Sequence, residues 1–169
     1  KIFAFSQFFI NVGTEAKMRR VERHQVKEVN SLWLWYKTVN PLKVVINFTV
    51  IYIARFVPHL PLKNTLYRFL GMKIGKNVSV GLMVMFDIFF PELIEIGDNT
   101  IIGYNSTILA HEYMVKEWGK GKVKIGRDVT IGANVTVLPG IIIGDGATVS
   151  ACSLVNKDIP DNSFVGGVP

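Results

Sequence analysis

Among the side chains of this sequence that could do acid-base or metal chemistry, His111 is the most informative. It is one of three histidines in 169 residues, and the sequence has a single cysteine. This composition excludes an all-cysteine metal cluster and leaves too few ligands for a histidine-rich metal site. An imidazole with an ordinary pKa of about 6.5 can instead exchange a proton with a hydroxyl group at neutral pH. His24 and His59 lie in a basic amino-terminal stretch, and we expect both at the surface.

An aliphatic residue recurs every six positions through the second half of the chain. Apolar or small residues also stand two positions earlier, which indicates strands because side chains two apart share a face. Glycine, asparagine and aspartate follow many of the aliphatic positions and favour a bend. Such short strands bury their faces only by stacking, so we predict an all-β solenoid with an aliphatic interior rather than a sandwich of short strands. The aliphatic positions are Ile74, Val80, Phe86, Ile96, Ile102, Ile108, Ile125, Ile131, Val137, Ile143, Val149 and Val155.

The six-residue rhythm is interrupted twice. The interruptions fall at residues 87–95 and 110–124. There, successive aliphatic positions differ by ten and by seventeen in residue number instead of by six. A regular scaffold that is interrupted often carries its functional groups at the interruption. The longer interruption predicts an excursion loop at 110–124, with His111 held at its root and a cleft beside it.

The repeat region, from about residue 70 to residue 169, resembles the hexapeptide-repeat acyltransferases, and in particular the maltose and galactoside O-acetyltransferases. The resemblance implies a left-handed parallel β-helix, acetyl-CoA as cosubstrate without a metal, and a homotrimer with active sites between subunits. The segments that carry it are Ile125–Asn134, Leu138-Pro139-Gly140, Lys157–Pro160 and Gly166–Pro169.

On the acceptor side, the resemblance implies that His111 is the general base. It also implies that Asp87 touches the acceptor hydroxyl, and Glu112 is assigned to the same acceptor site. Glu112 or Glu117 could alternatively orient the imidazole, or remain a solvated loop charge.

On the coenzyme side, the resemblance implies that Ala133 and Ala151 lie along the pantetheine arm. Small residues there keep open a groove between adjacent subunits. Asn156 and Lys157 match a polar and a basic residue near the adenosine phosphates, where a positive charge is favourable.

Charge is distributed unevenly, and this divides the chain into parts. Residues 1–73 carry a net charge of +9 and residues 74–169 a net charge of −3. We predict an extension at 1–27 that is partly disordered, an amino-terminal helical segment at 28–72, and a β-helix domain at 73–169. The chain lacks a run of about 20 apolar residues, which a membrane-spanning helix requires. Its single cysteine is typical of a reducing compartment, and we expect a cytoplasmic protein.

The helical segment has two interpretations. It could cap the open end of the solenoid and protect it from association. It could alternatively be a peripheral platform at the inner face of the membrane, where aromatic residues enter the interface and basic residues meet anionic head groups. No base-reading module is recognisable, so no nucleic-acid partner is expected. The basic residues in question are Arg19, Arg20, Arg23, Lys43, Arg55 and Lys63.

The prediction for function is transfer of an acetyl group from acetyl-CoA to a hydroxyl of a sugar or a cell-envelope precursor, with O- and N-acetylation both left open. The rival is a catalytically silent β-helix scaffold that binds partners at a membrane surface. A zinc enzyme of the carbonic anhydrase type is excluded because the repeat region contains one histidine.

Overall fold

Short parallel strands, stacked coil upon coil, make up most of this protein in a computed structural model that describes residues 19–27 and 29–168. The predictions about residues 1–18 lie outside the described residues. In chain order the strands are β1 (Glu22–Gln25), β2 (Lys73–Ile74), β3 (Ser79–Val80), β4 (Met85–Phe86), β5 (Ile94–Ile96), β6 (Ile101–Ile102), β7 (Thr107–Ile108), β8 (His111–Tyr113), β9 (Glu117–Lys120), β10 (Val123–Ile125), β11 (Thr130–Ile131), β12 (Thr136–Val137), β13 (Ile142–Ile143), β14 (Thr148–Val149), β15 (Leu154–Val155) and β16 (Phe164–Val165).

Three parallel sheets form the walls of a left-handed β-helix, as the sequence predicted. Their strand orders are β13-β10-β5-β2, β16-β14-β11-β6-β3 and β15-β12-β7-β4. The six-residue register is confirmed, because Ile125 pairs with Ile96 on one side and with Ile143 on the other. Every aliphatic position of the predicted series is buried in one continuous core.

The corners between sheets are built from residues with left-handed backbone angles. Asn99, Asn105, Asp128 and Asn134 all have φ near 55°. Asparagine tolerates this region better than most residues, and its side chain links adjacent coils here, as between Asn105 and Asn134 at 2.9 Å. Gly103 stacks so closely on the next coil that an added Cβ would lie 2.5 Å from a backbone carbon of Gly132. The corners therefore require these residue types.

The two interruptions have different structures. The first contains a 3-10 turn at Pro91–Leu93. The second forms the antiparallel pair β8 and β9, and β1 joins it in a three-stranded sheet with the order β1-β9-β8. The segment predicted to be an extension thus contributes a strand to the excursion, which its composition did not indicate.

Helices precede the β-helix. A 3-10 turn at Ser31–Leu34 leads into α1 (Trp35–Thr38), α2 (Pro41–Ala54) and α3 (Leu60–Phe69). Asn40 and His59 cap α2 and α3 by accepting hydrogen bonds from backbone N–H groups of their first turns. Proline within the first two positions of both helices suits a turn whose N–H groups have no helical partner. Within the described residues, no helix combines the length and apolar character needed to cross a membrane.

Helix α3 covers the open end of the first coil. Lys63 Nζ donates to the carbonyl oxygens of Val80 and Gly81, and Asn64 Nδ2 donates to the carbonyl of Val78. Lys63 is fully buried, and burial lowers its pKa. These contacts satisfy backbone groups that the end of a solenoid would otherwise leave unpaired, which supports the capping interpretation.

Replacing Lys63 with Ala should lower the free energy of unfolding by about 2–4 kcal/mol, since it leaves buried carbonyls unpaired and opens a cavity. Urea unfolding measures this change. The matched control is Lys76→Ala, which removes an exposed lysine and should leave stability within about 0.5 kcal/mol of wild type. Equal stability of the two variants would contradict the capping role of Lys63.

Most basic residues assigned to membrane head groups are engaged elsewhere. Lys63 is buried, and Lys43 pairs with Glu92 at 2.7 Å. Arg19 pairs with Glu112, and Arg20 pairs with Asp158. Arg23 pairs with both Glu112 and Glu117. The electrostatic part of the membrane prediction is therefore weaker than the net charge suggested.

Candidate active site

The β-helix places Asp87 next to His111, although they are 24 residues apart in sequence. Strands β4 and β7 are neighbours, with Phe86 paired to Ile108. The residues that follow these two strands therefore leave the same edge of the sheet. Asp87 Oδ2 lies 2.5 Å from His111 Nδ1 and accepts a hydrogen bond from the Ala110 backbone N–H at 2.7 Å.

Asp87 is buried on the Nδ1 side of the imidazole. Its side chain is fully buried, and its other oxygen, Oδ1, accepts hydrogen bonds from the backbone N–H groups of Phe89 and Phe90. Burial alone would raise the pKa of Asp87, but the hydrogen bond and charge attraction from His111, together with the backbone donors, hold it below its ordinary value. The carboxylate is therefore ionised at neutral pH and contacts His111 and backbone N–H groups in this structure, and its contact with an acceptor hydroxyl stays a prediction.

The carboxylate fixes which imidazole nitrogen carries the proton. An ionised carboxylate can only accept hydrogen bonds, so Nδ1 of His111 donates to Asp87. In neutral imidazole the lone pair then resides on Nε2, on the opposite side of the ring from Asp87. The His111 side chain is 15% exposed, which leaves it accessible to a bound molecule. This arrangement suits a general base.

Aromatic rings surround the imidazole. The ring centroids of Phe89, Tyr113 and Phe90 lie 4.5, 5.2 and 6.1 Å from that of His111. Trp118 stacks parallel to Phe90 with centroids 6.0 Å apart. These rings exclude water from one side of the base and offer flat apolar surfaces beside it. Nothing in the repeat pattern predicted this cluster, because its members lie in the two interruptions.

The three-stranded sheet has two chemically different faces. In its antiparallel register His111 lies opposite Lys120, and Tyr113 opposite Trp118, so these side chains share a face. Glu112 belongs to the other face, where it pairs with Arg19 at 2.7 Å and Arg23 at 3.0 Å. This ion-pair network ties the amino-terminal strand to the excursion and places Glu112 on the face opposite to His111, and binding of the acceptor by Glu112 stays a prediction that these contacts do not support.

The residues expected at the coenzyme occupy two different corners. Ala133 and Ala151 stand on successive coils at one corner, where the backbone N–H of Cys152 donates to the Ala133 carbonyl. Asn156 and Lys157 follow β15, at the sheet edge that also carries His111, and Lys157 is exposed. Small side chains at the first corner leave backbone accessible, and an exposed lysine suits a phosphate, so both pairs are compatible with a coenzyme. Across the described residues, no three or more His, Cys, Asp or Glu side chains lie close enough together to hold a metal ion.

Comparisons with known proteins agree with this architecture. Residues 122–157 match the family described as "Bacterial transferase hexapeptide (six repeats)". A protein of Bacillus subtilis (strain 168), "Putative acetyltransferase YvoF", is 62% identical over 153 residues, which cover 90% of this chain and 89% of that protein.

Two solved structures share the fold. A hexapeptide-repeat-containing acetyltransferase from Vibrio cholerae, complexed with acetyl coenzyme A, aligns with a TM-score of 0.63 and 22% identity, over 75% of this chain and 82% of that chain. A galactoside acetyltransferase in complex with coenzyme A aligns with a TM-score of 0.54 and 26% identity, over 75% of this chain and 77% of that chain.

Coils of six-residue units with an imidazole at the root of an excursion define a hexapeptide-repeat transferase. The extent of the similarity to the Bacillus relative shows that the chain belongs to the family of hexapeptide-repeat acetyltransferases. The protein is an acetyltransferase, and acetyl-CoA is its cosubstrate.

Proposed function

We propose that the protein acetylates a hydroxyl group and that His111 is the general base. The observation that carries this proposal is the hydrogen bond from His111 Nδ1 to the buried Asp87, which leaves Nε2 able to take a proton. As the acceptor oxygen attacks the thioester carbonyl carbon, its proton moves to Nε2. The new carbon–oxygen bond forms, the carbon–sulfur bond breaks, and the departing thiolate takes the proton from the imidazolium. Asp87 stabilises the transient positive charge.

The acceptor is proposed to be a sugar or a cell-envelope precursor. The partly exposed rings of Phe89 and Tyr113 beside His111 provide flat apolar surfaces of the kind that pack against the faces of sugar rings. One structural relative is a galactoside acetyltransferase, which supports a hydroxylated sugar. A screen of hydroxylated and aminated acceptors, following the release of free thiol from acetyl-CoA, tests this assignment. Turnover with amines only would contradict O-acetylation.

Ala133, Ala151, Asn156 and Lys157 are proposed to contact the coenzyme, in a groove between subunits of a homotrimer. The exposure of Ala151 and Lys157 in the single chain is compatible with this arrangement. Sedimentation equilibrium measures the trimer directly, and a monomer at assay concentrations would contradict it.

Replacing Ala151 with Leu should raise the KM for acetyl-CoA by roughly tenfold, since overpacking a fitted groove costs about 1–3 kcal/mol and about 1.4 kcal/mol corresponds to tenfold. Steady-state kinetics with the acceptor held at saturation measures the change. The matched control, Ala151→Ser, keeps the side chain small and should retain the wild-type KM. A change confined to the acceptor KM would place the groove elsewhere.

A second candidate function is a scaffold at a membrane surface, and the outer face of α2 favours it. That face is apolar although it points to solvent, and the described residues 29–72 include no acidic side chain. A solvent-facing helix surface is normally polar. The exposed large apolar residues of α2 are Leu42, Val45, Ile46, Phe48, Tyr52 and Ile53.

Vesicle sedimentation distinguishes this scaffold from a cap without membrane contact. If α2 enters the interface, the protein should sediment with phosphatidylcholine vesicles, and adding phosphatidylglycerol should increase binding only modestly, since most candidate cations are paired. Ile53→Glu should abolish the binding, whereas Thr49→Glu, a charge at an exposed polar position of α2, should weaken it less. Absence of binding at low salt would discard the membrane contact. Thioester turnover by the purified protein would exclude a catalytically silent scaffold.

A further inference from the structure

We propose that a basic pocket beside His111 binds an anionic group of the acceptor, so that the acceptor is a phosphorylated sugar. This inference rests on the proposed acetyl transfer and names the acceptor class more narrowly. The pocket is formed by residues outside the six-residue repeats.

The pocket lies between the amino-terminal strand, the short helix α1 and strand β9, and has a volume of about 540 Å³. Lys27, Lys37 and Lys120 line it, together with His24 and Trp118, and no acidic residue belongs to its described lining. Three lysine residues lining one cavity favour a bound anion over a neutral group, because an oxyanion gains charge-assisted hydrogen bonds from them.

Lys120 joins this pocket to the catalytic histidine. It lies directly opposite His111 in the register of β8 and β9. Its Nζ stands 5.8 Å from the centroid of the Phe90 ring, and the His111 ring lies 6.1 Å from the same centroid. Because His111 and Lys120 lie opposite each other, their side chains share one face of the sheet. The Phe90 ring beside both is buried, so the acceptor lies on that face of the sheet and presents a hydroxyl to the base and a phosphate to Lys120.

The rim of the pocket is held by the same residues that surround the base. The Thr38 hydroxyl lies 2.6 Å from the Tyr113 hydroxyl, and the His24 ring stacks on Trp118 with centroids 4.3 Å apart. Helix α1 and strand β1 are thus attached to the site, which positions Lys37 and Lys27 for an acceptor.

Glu22 pairs with Lys120, the lysine next to the base. Its Oε2 lies 3.5 Å from Lys120 Nζ, and its Oε1 lies 3.2 Å from His24 Nε2. The Glu22 side chain is 61% exposed, so it can swing into solvent at little cost. It therefore competes with an incoming anion for Lys120, and its removal should strengthen anion binding.

Calorimetric titration of the full chain saturated with coenzyme A tests the proposal. The probes are galactose and galactose 1-phosphate, which differ only in the anionic group. We expect the phosphate to bind at least tenfold more tightly. Lys37→Met and Lys120→Met should each remove about tenfold of that affinity, as expected for loss of a charge-assisted hydrogen bond. Glu22→Gln should increase it, and Lys76→Met should leave it unchanged.

Equal affinity for the two probes, including no measurable binding of either, would overturn the proposal. So would an unchanged affinity in both lysine variants. A second titration uses the protein without coenzyme A, and phosphate binding seen only there would assign the pocket to the coenzyme and overturn the proposal. The titration needs no turnover, so its failure is separate from failure of the acetyl-transfer mechanism, which the His111 variants test with neutral acceptors.

The phosphate could belong to a soluble or to a membrane-linked sugar. Thiol release with uridine diphosphate galactose tests the soluble source. The same assay with phosphatidylcholine vesicles that carry a polyprenyl-phosphate-linked galactose tests the other. Activity with free galactose alone would contradict both sources.

Discussion

Replacing His111 with Asn lowers kcat by at least ~10²-fold, the contribution that a positioned general base typically makes. The reason is that Nε2 is the nitrogen left free by the bond to Asp87, and an amide side chain cannot take up the hydroxyl proton. Asn retains a donor that can reach the buried carboxylate, so that the β-helix should keep its stability. Thiol release from acetyl-CoA measures kcat, and thermal unfolding checks the fold.

The matched control for this variant is His59→Asn. His59 caps α3 by accepting from the backbone N–H of Leu62, and asparagine is itself a good capping residue. The control should therefore retain both stability and turnover. Nearly wild-type kcat in His111→Asn would show that another group removes the proton, and the mechanism would then be wrong.

Replacing Asp87 with Asn should also lower kcat by about 10²-fold. Four groups now donate hydrogen bonds to the Asp87 carboxylate. The amide oxygen of an asparagine can accept from two of them, and its NH₂ group must then face the other two. If that group faces Nδ1, the imidazole has to accept there and carry its proton on Nε2, which removes the base. Loss of buried hydrogen bonds should lower the free energy of unfolding by about 1–3 kcal/mol.

The pH dependence separates positioning by Asp87 from a purely structural role. Because the pKa of Asp87 is lower in the folded than in the unfolded protein, its contribution to stability is present above the unfolded value of about 3.9 and is lost as the pH falls through the folded value. Acid unfolding of wild type should show this loss, and the Asn variant should lack it. The pH profile of kcat should change its shape in the variant. A stability loss without any change in that profile would leave Asp87 a structural residue only.

The fold follows closely from the sequence because its information is local. Within each six-residue unit, an aliphatic residue such as Ile131 predicts the strand, and a residue such as Asn134 predicts the corner. Neighbouring coils then repeat the same contacts, so that one register satisfies them all. The buried series and the parallel pairing confirm this prediction.

The site was only partly predictable, because it lies where the repeat stops. His111 could be selected as the base from its place at the root of the longer interruption. Asp87 was selected too, as a contact of the acceptor, but its contact with His111 was not predicted, since spacing does not reveal that β4 and β7 end side by side and place the carboxylate next to the ring. Glu112 was assigned to the acceptor, and alternation along β8 places it on the opposite face.

The sequence by itself determined the solenoid, its register, its corners and the excursion, because each depends on residues within six or so positions of one another. Only the tertiary structure decided what the amino-terminal part does. Strand β1 pairs with β9 across more than 90 residues of chain, Lys63 is drawn into the end of the core, and Lys27 and Lys37 meet Lys120 in one pocket. Composition records the charge of these residues, but their partners come from distant segments, and only the folded chain brings them together.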